Sequence, residues 1–205
     1  ITPSTKLAAA LDEIVLFSGN YKNYCVCIVD AVNSTKITAA LSKTKVCKYY
    51  SIFLNSMAMI VKEFRAVVVK NIGDSLLYYF PETSLPNKAS FVDPLECGIE
   101  MIKARSIINT KMDEYGLPPV SFRISVDYGT VMTAKSIHSY TDDIFGPTVN
   151  LCAKINAKAI PNTMVIGGDL YQIVKSVEKY SFKPIMGCSA GLKLEYPVYS
   201  VTPHV

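Results

Sequence analysis

Apolar residues along the chain form short continuous runs that are separated by segments with helical spacing. Tyr24–Val29 is apolar on both faces, which is typical of a strand buried inside a sheet. The pattern from Ser34 to about Phe64 is helical, in one or two pieces. A further helix is predicted over 94–115, because Gly116 and two prolines follow it.

A hairpin is predicted between these two helical segments. Ala66–Val69 is a β-branched run and Leu76–Phe80 is a second strand-like run. The residues between them include Gly73 and Asp74, which we expect near the tip of the hairpin.

The second half of the chain continues the alternation of strands and helices. We predict strands over 120–126 and 130–134 with a turn at Gly129, a helix over 148–158, a strand over 163–166, a helix over 168–177, and final strands over about 179–185 and 192–201. At the start, a short amphipathic helix over 5–18 is predicted before a break at Gly19-Asn20.

The element order favours a single domain over 21–205, preceded by an N-terminal helix or linker over 1–20. The order is β-α-β-β-α-β-β-α-β-α-β-β. Helices that return onto one sheet with a central hairpin indicate the α+β class. We expect a ferredoxin-like βαββαβ core with extra C-terminal α/β elements.

Composition narrows the classes of protein. The chain has 205 residues, of which 50% are hydrophobic and 19% charged, so extensive disorder is excluded. The net charge of +4 suits an anionic small ligand but is too weak and scattered to favour nucleic acid. No apolar stretch approaches the roughly 18 residues of a membrane helix. We therefore expect a cytoplasmic location, without direct membrane insertion by this segment.

The six cysteines lie in apolar contexts and form no CxxC pair. Reduced thiols facing the core are the simplest interpretation, ahead of disulfides or a metal site.

Two aspartates are the first candidates for chemistry. Asp30 ends the buried strand and Asp74 lies at the hairpin tip. If the strands pair, the carboxylates meet at one edge of the sheet, where their repulsion raises one pKa or requires a cation. Oxygen ligands with room for triphosphate oxygens are what Mg²⁺ prefers. Either aspartate alone is also explained as a helix-capping or turn residue without a ligand.

The turn after Asp30 is a candidate phosphate site. Asn33 or Ser34 is a predicted N-cap of the following helix. Free N–H groups at a helix start are able to bind phosphate oxygens.

Four segments together resemble the class III nucleotidyl cyclases, the adenylate and guanylate cyclase catalytic domains. The strongest is Asp143–Lys154, DIFGPTVNLCAK, and Phe122–Gly129 resembles the strand and turn that precede it in that family. Val29–Thr35 and Lys70–Asp74 resemble the family's two metal segments. The segments occur in the family's order, and the likeness runs from about residue 22 to 201.

The resemblance implies an active site shared by two catalytic domains arranged head to tail. One subunit would bind two Mg²⁺ or Mn²⁺ ions per site through Asp30, Asp74 and the Ala31 carbonyl. Its backbone amides would hold the β- and γ-phosphates, at Val32, Asn33, Ser34 and Thr35. The metals would activate the ribose 3′-hydroxyl for in-line attack on the α-phosphate.

The other subunit would supply the base and ribose contacts. Lys70 and Asp143 match the two positions that recognise the purine, and Asp143 has the family's spacing to Gly146, unlike Asp142. A lysine donates to the adenine N1 acceptor and an aspartate accepts from its N6 amine, whereas guanine presents the opposite pattern. The resemblance therefore implies ATP as the substrate.

Three further residues follow from the resemblance. Asn150 matches the residue that orients the ribose, and Lys154 lies one turn later on the same helix face. The family usually has an arginine at the position of Lys154, and lysine lacks its planar bidentate fork. Lys193 is the best match to a phosphate-binding lysine, although Leu194 replaces the glycine that normally follows it and the connection is shortened.

The leading hypothesis is a homodimeric adenylate cyclase domain that converts ATP into 3′,5′-cyclic AMP and pyrophosphate. The alternatives are a guanylate cyclase and a degenerate cyclase-like module that binds nucleotide or only dimerises. A diguanylate cyclase shares the core fold, but its GGDEF hairpin is absent from the sequence. Any regulatory domain would lie outside this segment.

Overall fold

The computed structural model describes residues 15–85, 87–136, 142–189 and 195–204. The main elements are β1 (Val15–Ala31), α1 (Ser34–Ala39), α2 (Lys43–Glu63), β2 (Val67–Ile72), β3 (Ser75–Phe80), α3 (Asp93–Glu114), β4 (Phe122–Ser136), β5 (Asp143–Phe145), α4 (Pro147–Asn156), β6 (Met164–Gly167), α5 (Gly168–Val174), β7 (Tyr180–Ser189) and β8 (Glu195–Pro203). Two short 3-10 turns, Pro81–Ser84 and Lys88–Phe91, join β3 to α3.

The strands form one eight-stranded sheet in the order β2-β3-β1-β4-β6-β8-β7, with β5 paired to β4. The β2-β3-β1-β4 half is antiparallel throughout, and α1 with α2 and then α3 make its two crossovers. This is the predicted ferredoxin-like core. The C-terminal half adds β6 parallel to β4, followed by the antiparallel β8 and β7. The α+β class is confirmed.

The middle of β1 is buried on both faces because helices cover both sides of the sheet. Cys25, Cys27 and Val29 belong to a core cluster that includes residues of α2 and α3. Val26 and Ile28 point the other way, into a cluster that contains Cys152 of α4. A strand that packs on two layers needs a continuous apolar run, which is what the sequence has.

The predicted N-terminal helix is wrong over its described part. Residues 15–18 belong to β1, and the rest of the predicted helix, residues 5–14, lies outside the described residues. The pairing of β1 with β4 shifts between Phe17 and Tyr21, where Gly19 has a positive φ of 67°. The break predicted at Gly19-Asn20 is therefore a bulge inside a strand, which glycine permits.

The predicted turn at Gly129 is also wrong, because β4 runs unbroken from Phe122 to Ser136. A Cβ at Gly129 would lie 2.6 Å from the Thr148 hydroxyl oxygen. Glycine is needed here for the close approach of α4 to the sheet, and not for a change of chain direction.

Two smaller differences from the sequence predictions remain. Strand β5 lies between the predicted strand over 130–134 and the predicted helix over 148–158, where the sequence predicts no element. Among the cysteines whose side chains the structure describes, five are free thiols, but Cys47 is exposed on α2, so its predicted core position is wrong. Within the described residues, no helix combines the length and apolar character needed to cross a membrane.

Candidate active site

Asp30 and Asp74 lie at the same edge of the sheet. Asp30 is near the end of β1, and its register partner on β3 is Ser75, the residue after Asp74. The turn between β2 and β3 is held against the end of β1 by a 3.4 Å hydrogen bond from the Ala31 N–H to the Asp74 carbonyl oxygen. Gly73, with a φ of 63°, makes this two-residue turn possible.

Each carboxylate also accepts a hydrogen bond from a serine. Ser75 Oγ donates to Asp30 Oδ1 at 2.5 Å. Ser34 Oγ, which is buried at the start of α1, donates to Asp74 Oδ2. One oxygen of each carboxylate is thus bonded to a neutral donor.

The electrostatics of Asp30 favour a bound cation. Burial raises the pKa of the half-buried Asp30 carboxyl, and the neighbouring Asp74 raises it further. The hydrogen bond from Ser75 and the charge of Arg123 oppose this rise. A divalent ion between the two carboxylates would remove their repulsion and favour the charged form of both.

The donor set fits Mg²⁺ or Mn²⁺ bound together with a nucleotide. Within the described ranges, no group of three or more His, Cys, Asp or Glu side chains gathers into a metal site. Mg²⁺ commonly binds through one or two carboxylates and completes its shell with water and substrate phosphates. Asp30, Asp74 and the backbone carbonyl of Ala31 match that requirement.

The turn into α1 has only part of the predicted phosphate-binding geometry. The Val32 N–H donates to the Ser121 carbonyl oxygen at 2.7 Å, so this amide is not free to bind a phosphate oxygen. Asn33 is the N-cap in the left-handed conformation, with a φ of 57°, and within the described chain its side chain makes no capping bond. Ser34 and Thr35 follow in the first turn, whose N–H groups have no partner inside the helix.

Arg123 is a further candidate site residue, to which the sequence alone gives no role. It is the register partner of Asp30 on β4. Both side chains line a cavity of about 250 Å³ with Ser75, Ala153 and other residues. The Arg123 Nε is buried and has no hydrogen-bond partner within the described residues. Its presence in the quoted family segment was the only signal in the sequence.

Lys70 and Asp143 form an ion pair, although 73 residues separate them in the chain. Lys70 projects from β2 and Asp143 begins β5. The other carboxylate oxygen of Asp143 accepts the Ile144 N–H at 2.8 Å, which fixes the direction of the side chain. The neighbouring Asp142 is exposed. The pair is part-exposed, so opening it to admit a base costs about 0–1 kcal/mol.

Asn150 and Lys154 are exposed on α4 and lie one helical turn apart. Ala153 and Asn156 of the same helix line the cavity beside Asp30, but the described cavity lining does not include Asn150 or Lys154. Within the described residues, neither side chain makes a hydrogen bond or salt bridge to Asp30 or Asp74. Lys193 lies outside the described residues.

These features define a class of protein: an α+β domain with two carboxylates at one edge of its sheet and a separate Lys–Asp ion pair. The family model of the adenylate and guanylate cyclase catalytic domain matches residues 16–189. The chain belongs to this family and is a class III nucleotidyl cyclase catalytic domain.

Individual relatives differ in the nucleotide that their names specify. A cytidylate cyclase of Staphylococcus aureus is 24% identical over 169 residues, which are 80% of this chain and 40% of that protein. The chain thus spans about 40% of the length of this curated relative. The adenylyl cyclase CyaB of P. aeruginosa superposes with a TM-score of 0.80 at 19% identity, covering 91% of this chain and 96% of that one. The guanylyl cyclase Cya2 superposes at 0.79 and 19% identity, covering 89% and 93%.

Proposed function

We propose that the chain is the catalytic domain of a homodimeric adenylate cyclase that converts ATP into 3′,5′-cyclic AMP and pyrophosphate. The observation that carries the choice of ATP is the ion pair between Lys70 and Asp143. Lysine has only donors and a carboxylate has only acceptors, so the pair matches the N1 acceptor and N6 amine of adenine. Guanine, with a donor at N1 and an acceptor at O6, would meet two mismatches.

The triphosphate would lie over the edge of the sheet formed by β1, β3 and β4. Asp30, Asp74 and the Ala31 carbonyl would hold two Mg²⁺ or Mn²⁺ ions, which when bound lower the pKa of the ribose 3′-hydroxyl and neutralise the leaving pyrophosphate. The amides of Asn33, Ser34 and Thr35 would bind phosphate oxygens, as first-turn N–H groups do. The cationic Arg123 faces the same cavity and would add positive charge beside the phosphates.

A second copy of the chain would complete each site. The partner subunit's Lys70 and Asp143 would bind the adenine, and the partner's Asn150 would orient the ribose. The partner's Lys154 would stabilise charge on the α-phosphate. The exposure of Asn150 and Lys154 leaves both side chains accessible to a second chain, which supports this division. In a symmetric pair the same surfaces serve two equivalent sites. Lys193 would be an additional phosphate contact.

The domain is expected to act in the cytoplasm, where its nucleotide substrate is present. Any regulatory domain would be attached outside this segment.

CTP is a second candidate substrate. The cytidylate cyclase relative shares 24% of aligned residues over most of this chain. Cytosine presents an amine at N4 beside an acceptor at N3, which is the same pattern that adenine presents. A pyrimidine places this edge nearer the ribose than a purine does. The two nucleotides would therefore need different distances from Lys70 and Asp143, which contact the base, to Asn150, which contacts the ribose.

The direct test is to incubate the purified chain with Mn²⁺ and each of ATP, CTP, GTP and UTP, and to resolve the products by chromatography. We expect cyclic AMP as the main product, abolished by Asp30→Asn or Asp74→Asn and unchanged by Asp113→Asn, an exposed carboxylate on α3. Cyclic CMP as the main product would select the second candidate. Tight ATP binding without any product would support the degenerate module.

The shared site is tested by co-expressing Asp30→Ala chains with Lys70→Ala chains. Each variant alone is expected to be inactive. Random pairing gives half heterodimers, each with one intact site of two, so about a quarter of the unsubstituted activity should return. The absence of any rescue would contradict the shared site.

A further inference from the structure

The two serines that contact the metal carboxylates are arranged reciprocally. Ser75 is the first residue of β3 and directly follows Asp74 in the chain. Its hydroxyl nevertheless donates to Asp30 Oδ1, at 2.5 Å. Ser34 follows Asp30 by four residues but donates to Asp74 Oδ2. Each serine therefore ties the segment that carries one aspartate to the carboxylate of the other.

We infer that Ser34 and Ser75 are positioning residues for the metal site, which set the orientation of the Asp74 and Asp30 carboxylates before metal binds. The inference rests on the proposed function, because it concerns the same cation site. It adds a role for two side-chain hydroxyls, distinct from any contact made by the backbone amide of Ser34.

The geometry leaves each carboxylate ready to bind a cation. A carboxylate has two oxygens with about four lone-pair positions. The serine hydroxyls occupy Asp30 Oδ1 and Asp74 Oδ2. The serine bonds stop each carboxylate from rotating freely. They therefore fix the directions of the remaining oxygens, Asp30 Oδ2 and Asp74 Oδ1.

The donors are neutral, which distinguishes them from the nearby arginine. A lysine or arginine at the same place would cancel the negative charge that attracts a divalent ion. A hydroxyl restrains the carboxylate and leaves that charge available. Two aspartates whose charges repel would otherwise turn apart in the absence of metal.

The backbone that carries each serine is held in place by its surroundings. Ser34 is buried, and its carbonyl oxygen accepts the Thr38 hydroxyl at 2.8 Å within α1. Ser75 is half-buried in β3, opposite Asp30 in the sheet register. Serine has a single side-chain torsion, so a fixed backbone leaves each hydroxyl only a few possible positions.

The test measures metal binding directly and does not depend on turnover. The full chain is titrated with Mn²⁺ in the presence of 3′-deoxy-ATP, which lacks the attacking hydroxyl, and free Mn²⁺ is followed by electron paramagnetic resonance. Ser34→Ala and Ser75→Ala are each expected to weaken Mn²⁺ binding by about 10-fold to 100-fold, the usual effect of losing an outer-shell hydrogen bond.

Conservative variants separate positioning from folding. Ser34→Thr and Ser75→Thr keep a hydroxyl and should restore binding to within a few-fold of the unsubstituted chain. Thr110→Ala is the matched control, because it removes a hydroxyl bond to the Ser106 carbonyl oxygen within α3 that contacts neither aspartate nor either serine. In activity assays, the alanine variants should need more Mn²⁺ for half-maximal rate, with kcat largely recovered at saturating Mn²⁺.

The outcomes separate this inference from the proposed function. If the unsubstituted chain binds Mn²⁺ and the folded alanine variants bind it equally well, the positioning role is overturned and the proposed function stands. If threonine fails to restore binding lost in the alanine variants, the positioning role is also overturned. If the unsubstituted chain does not bind Mn²⁺ at all, both are overturned.

Discussion

Asp30 and Arg123 face each other across the β1–β4 pair and line the same cavity. The positive charge of Arg123 lowers the pKa of Asp30, opposing the rise that burial and Asp74 cause. The two side chains are not joined by a salt bridge within 4.0 Å among the described residues. The guanidinium thus remains available to an anion that enters the cavity.

The first prediction concerns this arginine. Arg123→Met should lower kcat/KM for ATP by about tenfold or more, because about 1.4 kcal/mol of transition-state stabilisation corresponds to a factor of ten. Arg123→Lys should retain part of the activity, since it keeps the charge and loses the bidentate fork. Steady-state kinetics with Mn²⁺ provide the measurement. Lys103→Met, which removes an exposed cation on α3, should leave kcat/KM unchanged. An equal loss of kcat/KM in Arg123→Met and Lys103→Met would contradict a local role of Arg123.

The second prediction concerns base selection. Lys70→Glu combined with Asp143→Ser should move the preference from ATP towards GTP, because a carboxylate accepts from guanine N1–H and a hydroxyl donates to O6. The ratio of kcat/KM for the two nucleotides should change by at least about tenfold, since unpaired polar groups in a site discriminate strongly. Competition assays with both nucleotides measure the ratio. An unchanged ratio in a folded, active double variant would mean that the pair does not contact the base.

Local patterns in the sequence were sufficient to predict the elements that carry the two aspartates. A doubly apolar run ending in Asp30 indicates a buried strand, and Gly73 before Asp74 indicates a tight turn. Both signals depend on neighbouring residues only, and both elements are present. The ferredoxin-like order followed from the succession of such elements.

Relationships between distant segments could not be predicted in this way. Arg123 faces Asp30 because of the register between β1 and β4, and no local pattern encodes a register. The Val32 amide is occupied because Ser121 arrives from a distant part of the chain. Gly129 was interpreted as a turn residue, whereas its role is to admit Thr148 of α4. In each case the deciding partner is far away in the sequence.

The third prediction concerns Lys154, where the family usually has arginine. Lys154→Arg should raise kcat about tenfold with little change in KM, because a planar bidentate donor stabilises the developing charge better than a single ammonium. Single-turnover measurements isolate the chemical step. The exposed position of Lys154 on α4 makes the substitution tolerable for folding. Lys158→Arg, one turn further along, is the matched control, and a similar gain there would contradict a specific effect.

The fourth prediction concerns a buried carboxyl outside the active site. The pKa of Asp127 is raised to about 7, chiefly by burial and to a lesser extent by the charge of the nearby Asp169. The Tyr196 hydroxyl donates to both Asp127 oxygens, at 3.0 and 2.9 Å, and opposes the rise. Burial, and to a lesser extent the charge of Asp127, raises the pKa of the Cys25 and Cys152 thiols. The folded protein therefore holds a proton on Asp127 more tightly than the unfolded chain does.

The sign of the pH effect follows from this difference. The group's contribution to stability is fully present below the unfolded pKa near 4 and is lost as pH rises through about 7. Urea unfolding of the unsubstituted chain and of Asp127→Asn should show that the variant becomes relatively more stable between pH 5 and pH 8. Asp113→Asn, an exposed site, should not change the pH dependence. Parallel curves of unfolding free energy against pH for the unsubstituted chain and Asp127→Asn would contradict a raised pKa of Asp127.

The last prediction concerns Tyr49, whose side chain is fully buried in α2. Its hydroxyl has no hydrogen-bond partner within the described part of the chain, and burial raises its pKa to about 12. A buried donor without a partner costs about 1–3 kcal/mol of desolvation, so Tyr49→Phe should raise the free energy of unfolding by about 1 kcal/mol. Tyr78→Phe is the matched comparison, because the Tyr78 hydroxyl lies 3.7 Å from the Met101 sulfur and has a partner to lose. Urea unfolding measures both variants, and a destabilised Tyr49→Phe chain would show that the hydroxyl is satisfied in solution.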